Sequence, residues 1–374
     1  MPVPTRGNPT VSNRIRRAAS LAAGLALTAT ALTACGSTSS SAGGGSGSSG
    51  GGGQASAGTQ TLNVGQISKS VAFFPVYVAQ KEGYFTAQHL HVPNPPLLGT
   101  GAKVAAALVS GSIDVGAGVM TDAFNLANAG QQPRLVSDLI NSYYVDIVVA
   151  NHFSGPPASA SLKQRIAALK GKKIGITGPG SGTQALVDYL FKLDGLDAST
   201  QATLVNLGSG NSAAVDALKS HEVDALAFFQ PVGQLAEALH VGSIYISPAR
   251  GDVPGLQGAT NGVVYTTAGE LSSKKTAIEA FIRAIGQAGR FIHTSSTATL
   301  VPVLRAYDTG LSAAVATSLV SVLKSEIPSS PSFNQAGYKA EATVNVVGGL
   351  IHSAPKYNTL VASSVIKAAL GTQG

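Results

Sequence analysis

The segment Gly178-Pro179-Gly180-Ser181-Gly182-Thr183 joins glycines, which admit close backbone approach, to two hydroxyls at the start of an amphipathic helix. Unpaired N–H groups at a helix start, helped by the helix dipole, can hold an anion. Ser181, Gly182 and Thr183 are therefore the first ligand-binding candidates, beside the plainer reading of an N-capped turn. No Lys follows the glycines at P-loop spacing, and Gly180-Ser181-Gly182 lacks the full Gly-x-Ser-x-Gly elbow of a hydrolase. The 7 His show no metal-ligand spacing. These patterns supply no catalytic residue, cofactor or metal site, and none is expected.

Elements that could position this turn alternate along the chain. Thr61 to Ile67 reads as a buried strand, Phe74 to Gly83 and Ala102 to Val109 as helices, and Ile113 to Gly118 as a strand. Lys173 to Thr177 is a second first strand, followed by helix Thr183 to Leu193 with Leu186, Tyr189, Leu190 and Leu193 on one stripe. Strand Ala202 to Leu207, helix Ser212 to Ser220, strand Val223 to Phe229 and helix Val232 to Leu239 continue the alternation, and from about Ser272 the chain reads as helices. This is an α/β pattern. The junction Ala107 to Val115 parallels Ala217 to Ala225, each a helix closing into a strand that opens on an apolar-Asp pair, which favours two related lobes.

Ligands of open α/β sheets bind beyond the carboxyl ends of strands. That rule adds Ser68, Phe73, Phe74, Thr100, Met120, Thr121 and Gln230, from the loops after successive strands, to the candidates. Tyr143 joins them because it shares the alternation of Val145, Ile147 and Val149; Tyr144 is assigned to packing and Asp122 is left without a role.

Arg14, Arg16 and Arg17 precede an apolar stretch from Ala18 to Ala34, the form of a signal peptide, and the run ends in Leu32-Thr33-Ala34-Cys35, which matches a bacterial lipoprotein signal. Cys35, the single cysteine, is the expected lipidation site, so the protein is expected to lie outside the cytoplasm, anchored to the cell membrane. Residues Gly36 to Gly58 are mostly Gly and Ser, a flexible tether reaching about 25–30 Å. The net charge of +7 includes Arg6, Arg14, Arg16 and Arg17; without these four the balance is 21 basic to 18 acidic residues. No Lys/Arg run remains to track phosphates, so nucleic acid is not an expected partner.

Three stretches together carry a family resemblance: Leu62 to Ile67, Pro75-Val76-Tyr77-Val78-Ala79-Gln80-Lys81-Glu82-Gly83-Tyr84-Phe85, and Ala106 to Gly116. With Leu169-Lys170-Gly171-Lys172-Lys173-Ile174-Gly175 and Gln230-Pro231, the chain resembles the substrate-binding proteins of nitrate, sulfonate and taurine ABC importers. That family also includes binders of thiamine-pyrimidine precursors.

The resemblance implies a type II periplasmic-binding-protein fold: two α/β lobes, two crossing strands as hinge near Tyr144 to Ala150 and Gly262 to Thr266, and a helical C-terminal part. The implied segments are 1–34 signal peptide, 35–59 lipidated tether, 60–146 first lobe, 147–261 second lobe, and 262–374 completing the first. It also implies that a small solute, anionic and organic, is captured between the lobes by a monomer and passed to an ABC transporter permease. A planar heterocyclic ligand, and a sensing rather than a transport role, remain open alternatives. Gln230 departs from the Trp-Asp-Pro-like sequence of many relatives, which argues against a cation held at that loop.

Overall fold

A computed structural model describes residues 58–371. The signal peptide, Cys35 and the tether to residue 57 lie outside the described residues. The first part of the chain runs β1 (Gln60–Thr61), β2 (Val64–Gln66), α1 (Phe74–Lys81), α2 (Tyr84–Ala87), β3 (Leu90–His91), α3 (Gly101–Val109), β4 (Val115–Val119), α4 (Met120–Asn128) and β5 (Pro133–Ile140). The second runs β6 (Val145–Ala150), α5 (Leu162–Ala168), β7 (Lys173–Ile176), α6 (Gly182–Leu193), α7 (Ala198–Gln201), β8 (Thr203–Asn206), α8 (Asn211–Lys219), β9 (Ala225–Phe229), α9 (Val232–Ala238) and β10 (Gly242–Ile246). After β11 (Gly262–Thr267) come only helices: α10 (Ala268–Ser273), α11 (Lys275–Thr294), α12 (Thr297–Tyr307), α13 (Ala313–Glu326), α14 (Gln335–Val347), α15 (Tyr357–Leu360) and α16 (Ser363–Leu370).

The strands form two mixed sheets, ordered β2-β4-β11-β5 and β8-β7-β9-β6-β10, and β1 pairs with β3 separately. Each sheet has the same plan. Parallel strands (β2 with β4; β7 with β8 and β9) lead to an antiparallel strand, β11 or β6, and then to another, β5 or β10. The interior strands are mostly apolar, as positions buried on both faces of a sheet require. In β6 and β9 every residue is buried.

The sequence echo is a structural one. The amide of Asn63, just before β2, donates to Asp114 Oδ2 at 2.6 Å, and the amide of Lys173, at the start of β7, donates to Asp224 Oδ2 at 2.8 Å. Asp114 N and Asp224 N return bonds to the Asn63 and Lys173 carbonyls at 2.8 and 2.9 Å. The second oxygen faces a base in both places: Lys274 Nζ lies 2.6 Å from Asp114, and His152 Nε2 lies 3.7 Å from Asp224. Where the first junction turns through Gly111 at φ 72°, the second uses His221 at φ 62°. A left-handed turn there is strained for a residue with a Cβ.

Helix α6 begins where Ser181 caps the amide of Gln184, and buries Leu186, Tyr189 and Leu190. Its expected stripe stops there, for Leu193 is 47 % exposed. Helix α11 spans 20 residues and turns Ile278, Phe281, Ile285 and Ile292 inward at helical spacing, packing on α1 and α16. Among the described residues no helix is long and apolar enough to cross a membrane.

The chain passes between the sheets through 141–144 and 247–261, so the two β-branched runs expected to cross are β6 and β11, each inside one sheet. Their apolar character comes from interior sheet positions. Both passages are held by buried carboxyl groups. Thr260 Oγ1 reaches Asp138 Oδ2 at 3.5 Å, and Asn261 Nδ2 donates to Glu341 Oε1 at 2.8 Å. Gln230 Nε2 donates to Glu326 Oε1 at 3.3 Å, while Ser142 bonds Glu326 and Ser247 bonds Asp146. The second oxygens of Asp138, Asp146, Glu326 and Glu341 are buried without a hydrogen-bond partner among the described residues.

Candidate functional site

A cavity of about 280 Å³ opens between the carboxyl ends of the two sheets. One wall holds Ser68 and Phe73 after β2, Thr100 and Gly101 at the start of α3, and Asp122 on α4; the other holds Thr177 to Thr183 and Phe229. The two sides are bonded to each other, Asn125 Nδ2 donating to Gly180 O at 2.9 Å across the cavity and Ser70 Oγ to Gln230 O, outside the lining, at 3.3 Å.

The turn after β7 is ordered by its own side chains. Gly178 and Gly180 take φ values of 153° and 73°. The amide of Thr177 donates to Thr183 Oγ1 at 3.0 Å, Ser181 Oγ lies 2.8 Å from the same hydroxyl, and Gln184 Oε1 accepts from Gly180 N at 2.8 Å. These bonds fix the hydroxyls within the turn. The amides of Gly182 and Thr183, in the first turn of α6, have no helical acceptor and lie at the cavity wall. Across the cavity Thr100 caps α3 by accepting from Lys103 N at 3.2 Å.

Asp122 is 5 % exposed, and its Oδ2 accepts from Val119 N at 2.9 Å. Burial pushes its carboxyl up to about 7, against the lowering effect of that amide. A Cβ on Gly101 would fall 1.7 Å from Asp122 Oδ1, so only glycine lets the carboxyl lie against the start of α3.

Of the residues singled out in the sequence, Ser68, Phe73, Thr100, Ser181, Gly182 and Thr183 meet at this cavity. The others stand outside its lining. Phe74 turns toward α12, its ring 5.8 Å from that of Tyr307. Met120 is fully buried, its amide bonded to Asn261 O at 2.8 Å. Thr121 is buried beside Gly182. Gln230 is tied to Glu326 and to Tyr144 O.

Tyr143 reaches the helix from behind, its hydroxyl donating to Gly182 O at 2.9 Å, and it is Tyr144 that lines the cavity. The alternation argument failed because β6 begins at Val145, and both tyrosines precede the strand. Tyr143→Phe is expected to lower stability by about 1 kcal/mol in thermal melts. A melting temperature left unchanged would show that this bond does not hold the start of α6.

Sequence reasoning also missed Asn206, Phe229 and Asn261. Phe229 ends a strand and could have been found by the same strand-end rule. Asn261 closes the second passage, and no local signal marks it.

Residues 55–302 match the model of the NMT1-like family. A solved protein of Bordetella bronchiseptica RB50 is 20% identical, with a TM-score of 0.72 over 83% of this chain and 97% of its own. The alkanesulfonate-binding protein SsuA from Xanthomonas axonopodis pv. citri, bound to MOPS, is 19% identical, with a TM-score of 0.62 over 83% of this chain and 99% of its own. The nitrate-binding protein NrtA from Synechocystis PCC 6803 is 14% identical, with a TM-score of 0.65 over 84% and 89%. No curated protein matches the sequence. At these identities the likeness shows the fold, which is that of periplasmic binding proteins.

Proposed function

The chain belongs to the NMT1-like family, and from that premise we propose that it is an extracytoplasmic solute-binding lipoprotein serving an ABC importer. The observation that carries this reading is the cavity between two separately formed sheets, with one wall on each. A solute touching both walls favours their approach about the passages 141–144 and 247–261, so capture and closure are one event. The lobes are residues 60–146 with 262–374, and residues 147–261.

Cys35 carries the lipid, and the Gly/Ser tether lets the monomer reach a permease from the membrane. The amides of Gly182 and Thr183 receive an acidic or hydrogen-bond-accepting group of a small organic solute. Phe73, Phe229 and Tyr144 support a second reading of the same site, a planar ring as the body of the ligand. The role is capture without turnover.

Purified protein lacking the signal peptide is expected to melt at a higher temperature with its solute, by about 2.7 kcal/mol of added stability at 100 times Kd. The panel should hold sulfonates, carboxylates, amines and planar heterocycles. A well-folded sample that none of these stabilises would refute solute capture.

A further inference from the structure

Among the described residues, those lining the cavity include one acid, Asp122, and no Lys, Arg or His. Every other polar group on the wall is a hydroxyl, an amide or backbone. Asp122 Oδ2 is taken by Val119 N, and among the described residues no other group donates a hydrogen bond to this carboxyl. The titratable groups that face Asp122 from neighbouring elements are the phenols of Tyr144, ahead of β6, and Tyr265, on β11. Burial raises both above the ordinary phenol range, so neither supplies or removes charge near neutral pH. Lys103 on α3 is exposed.

An ionised carboxylate so placed is a buried charge without a counter-ion, which is costly in the closed cavity. A ligand carrying a second negative charge beside it adds repulsion. A ligand bringing a positive nitrogen offsets the desolvation of both groups and fills the free acceptor.

We propose that Asp122 selects the solute: the protein takes a small organic molecule that presents a protonated nitrogen, of amine or amidine type, to this carboxylate. The proposal rests on the cavity being the solute site. It excludes simple inorganic anions and plain alkanesulfonates as the preferred cargo, and an acidic group on the same molecule is free to lie at the start of α6. Discrimination comes as much from the unpaired acid that a wrong ligand leaves behind as from the bond the right one makes.

Benzamidine and benzoate test it, being alike in size and shape but opposite in charge, each with fixed charge between pH 6 and 8. Calorimetric titration of the unaltered protein at pH 8 is expected to show benzamidine binding at least tenfold more tightly than benzoate. Because the ionised acid is the binding form, benzamidine affinity should fall about tenfold on going to pH 6. Asp122→Asn keeps an acceptor for Val119 N and so preserves the start of α4. It should remove both the preference and the pH dependence while leaving the melting temperature without ligand at least as high.

Benzoate binding as tightly as benzamidine, a preference that survives Asp122→Asn, or no binding of either probe would each overturn the proposal. Solute capture itself is separately decided: it stands if any other compound of the panel stabilises the protein.

Discussion

Acidifying the folded protein from pH 8 to pH 5 is expected to raise its melting temperature. The cause is the set of carboxyl groups buried around the passages between the sheets. Burial pushes Asp146 and Glu326 up to about 7 and Glu341 up to about 8, and moves Asp138 well above the carboxylate range. In the unfolded chain such groups ionise near pH 4. Below that both states hold the proton, and nothing is lost. Between about 4 and 7 or 8 the unfolded state releases protons that the folded state keeps, so stability falls as pH rises, then levels off above the folded values.

One group changes stability by about 1.4 kcal/mol per pH unit across its window, before local relaxation reduces the effect. The net gain at pH 5 should be at least about 2 kcal/mol. Asp197, held down to about 2 by Lys192 and Ser199, acts only at lower pH. Melts at constant ionic strength check this, and a melting temperature that is flat or rises toward pH 8 would contradict it. Glu341→Gln, which can still accept from Asn261 Nδ2, should stabilise the protein at pH 8 by about 1–3 kcal/mol. At pH 5 it should change little.

Gly337→Ala should be among the most damaging small substitutions. Gly337 lies in the first turn of α14, and a Cβ there would fall 2.5 Å from Gly258 O and 2.6 Å from Thr260 Oγ1. The first of these is backbone, so the whole passage 247–261 must move away from the helix, at a cost of about 1–3 kcal/mol. Thr260 would also be pulled from Asp138. Gly286→Ala is the control. It sits inside α11, where the nearest atom to a new Cβ is Pro331 Cδ at 3.4 Å, an ordinary contact. Relief of backbone entropy should stabilise that variant by roughly 0.5 kcal/mol. If the two alanine variants melted alike, close packing of α14 on the passage would not be what holds it.

What could be read from the sequence follows how local each feature is. The paired junctions at Asp114 and Asp224 were visible because helix end, turn and strand start lie within nine residues of each other. The start of α6 was visible through Ser181 and its glycines. Glu341 reads as an ordinary polar position on an amphipathic helix, because no sequence pattern tells which face of α14 meets Asn261. Asp122 was evident as an acid beyond a strand, but its isolation depends on every other wall residue, up to Asn261 at the end of the passage 247–261. The Tyr143 and Tyr144 assignment turned on where a strand begins, which propensity places only within a few residues.

The two aspartates also divide the labour of their sheets along the strand direction. Asp114 and Asp224 fasten neighbouring parallel strands at their amino ends, while Ile67, Ser68 and Thr177, past their carboxyl ends, face the cavity. Clamped at one end and diverse at the other, each sheet can accept new side chains at the cavity without unzipping. Such an arrangement favours evolvability: one scaffold can explore many cargoes while its foldability is guarded elsewhere.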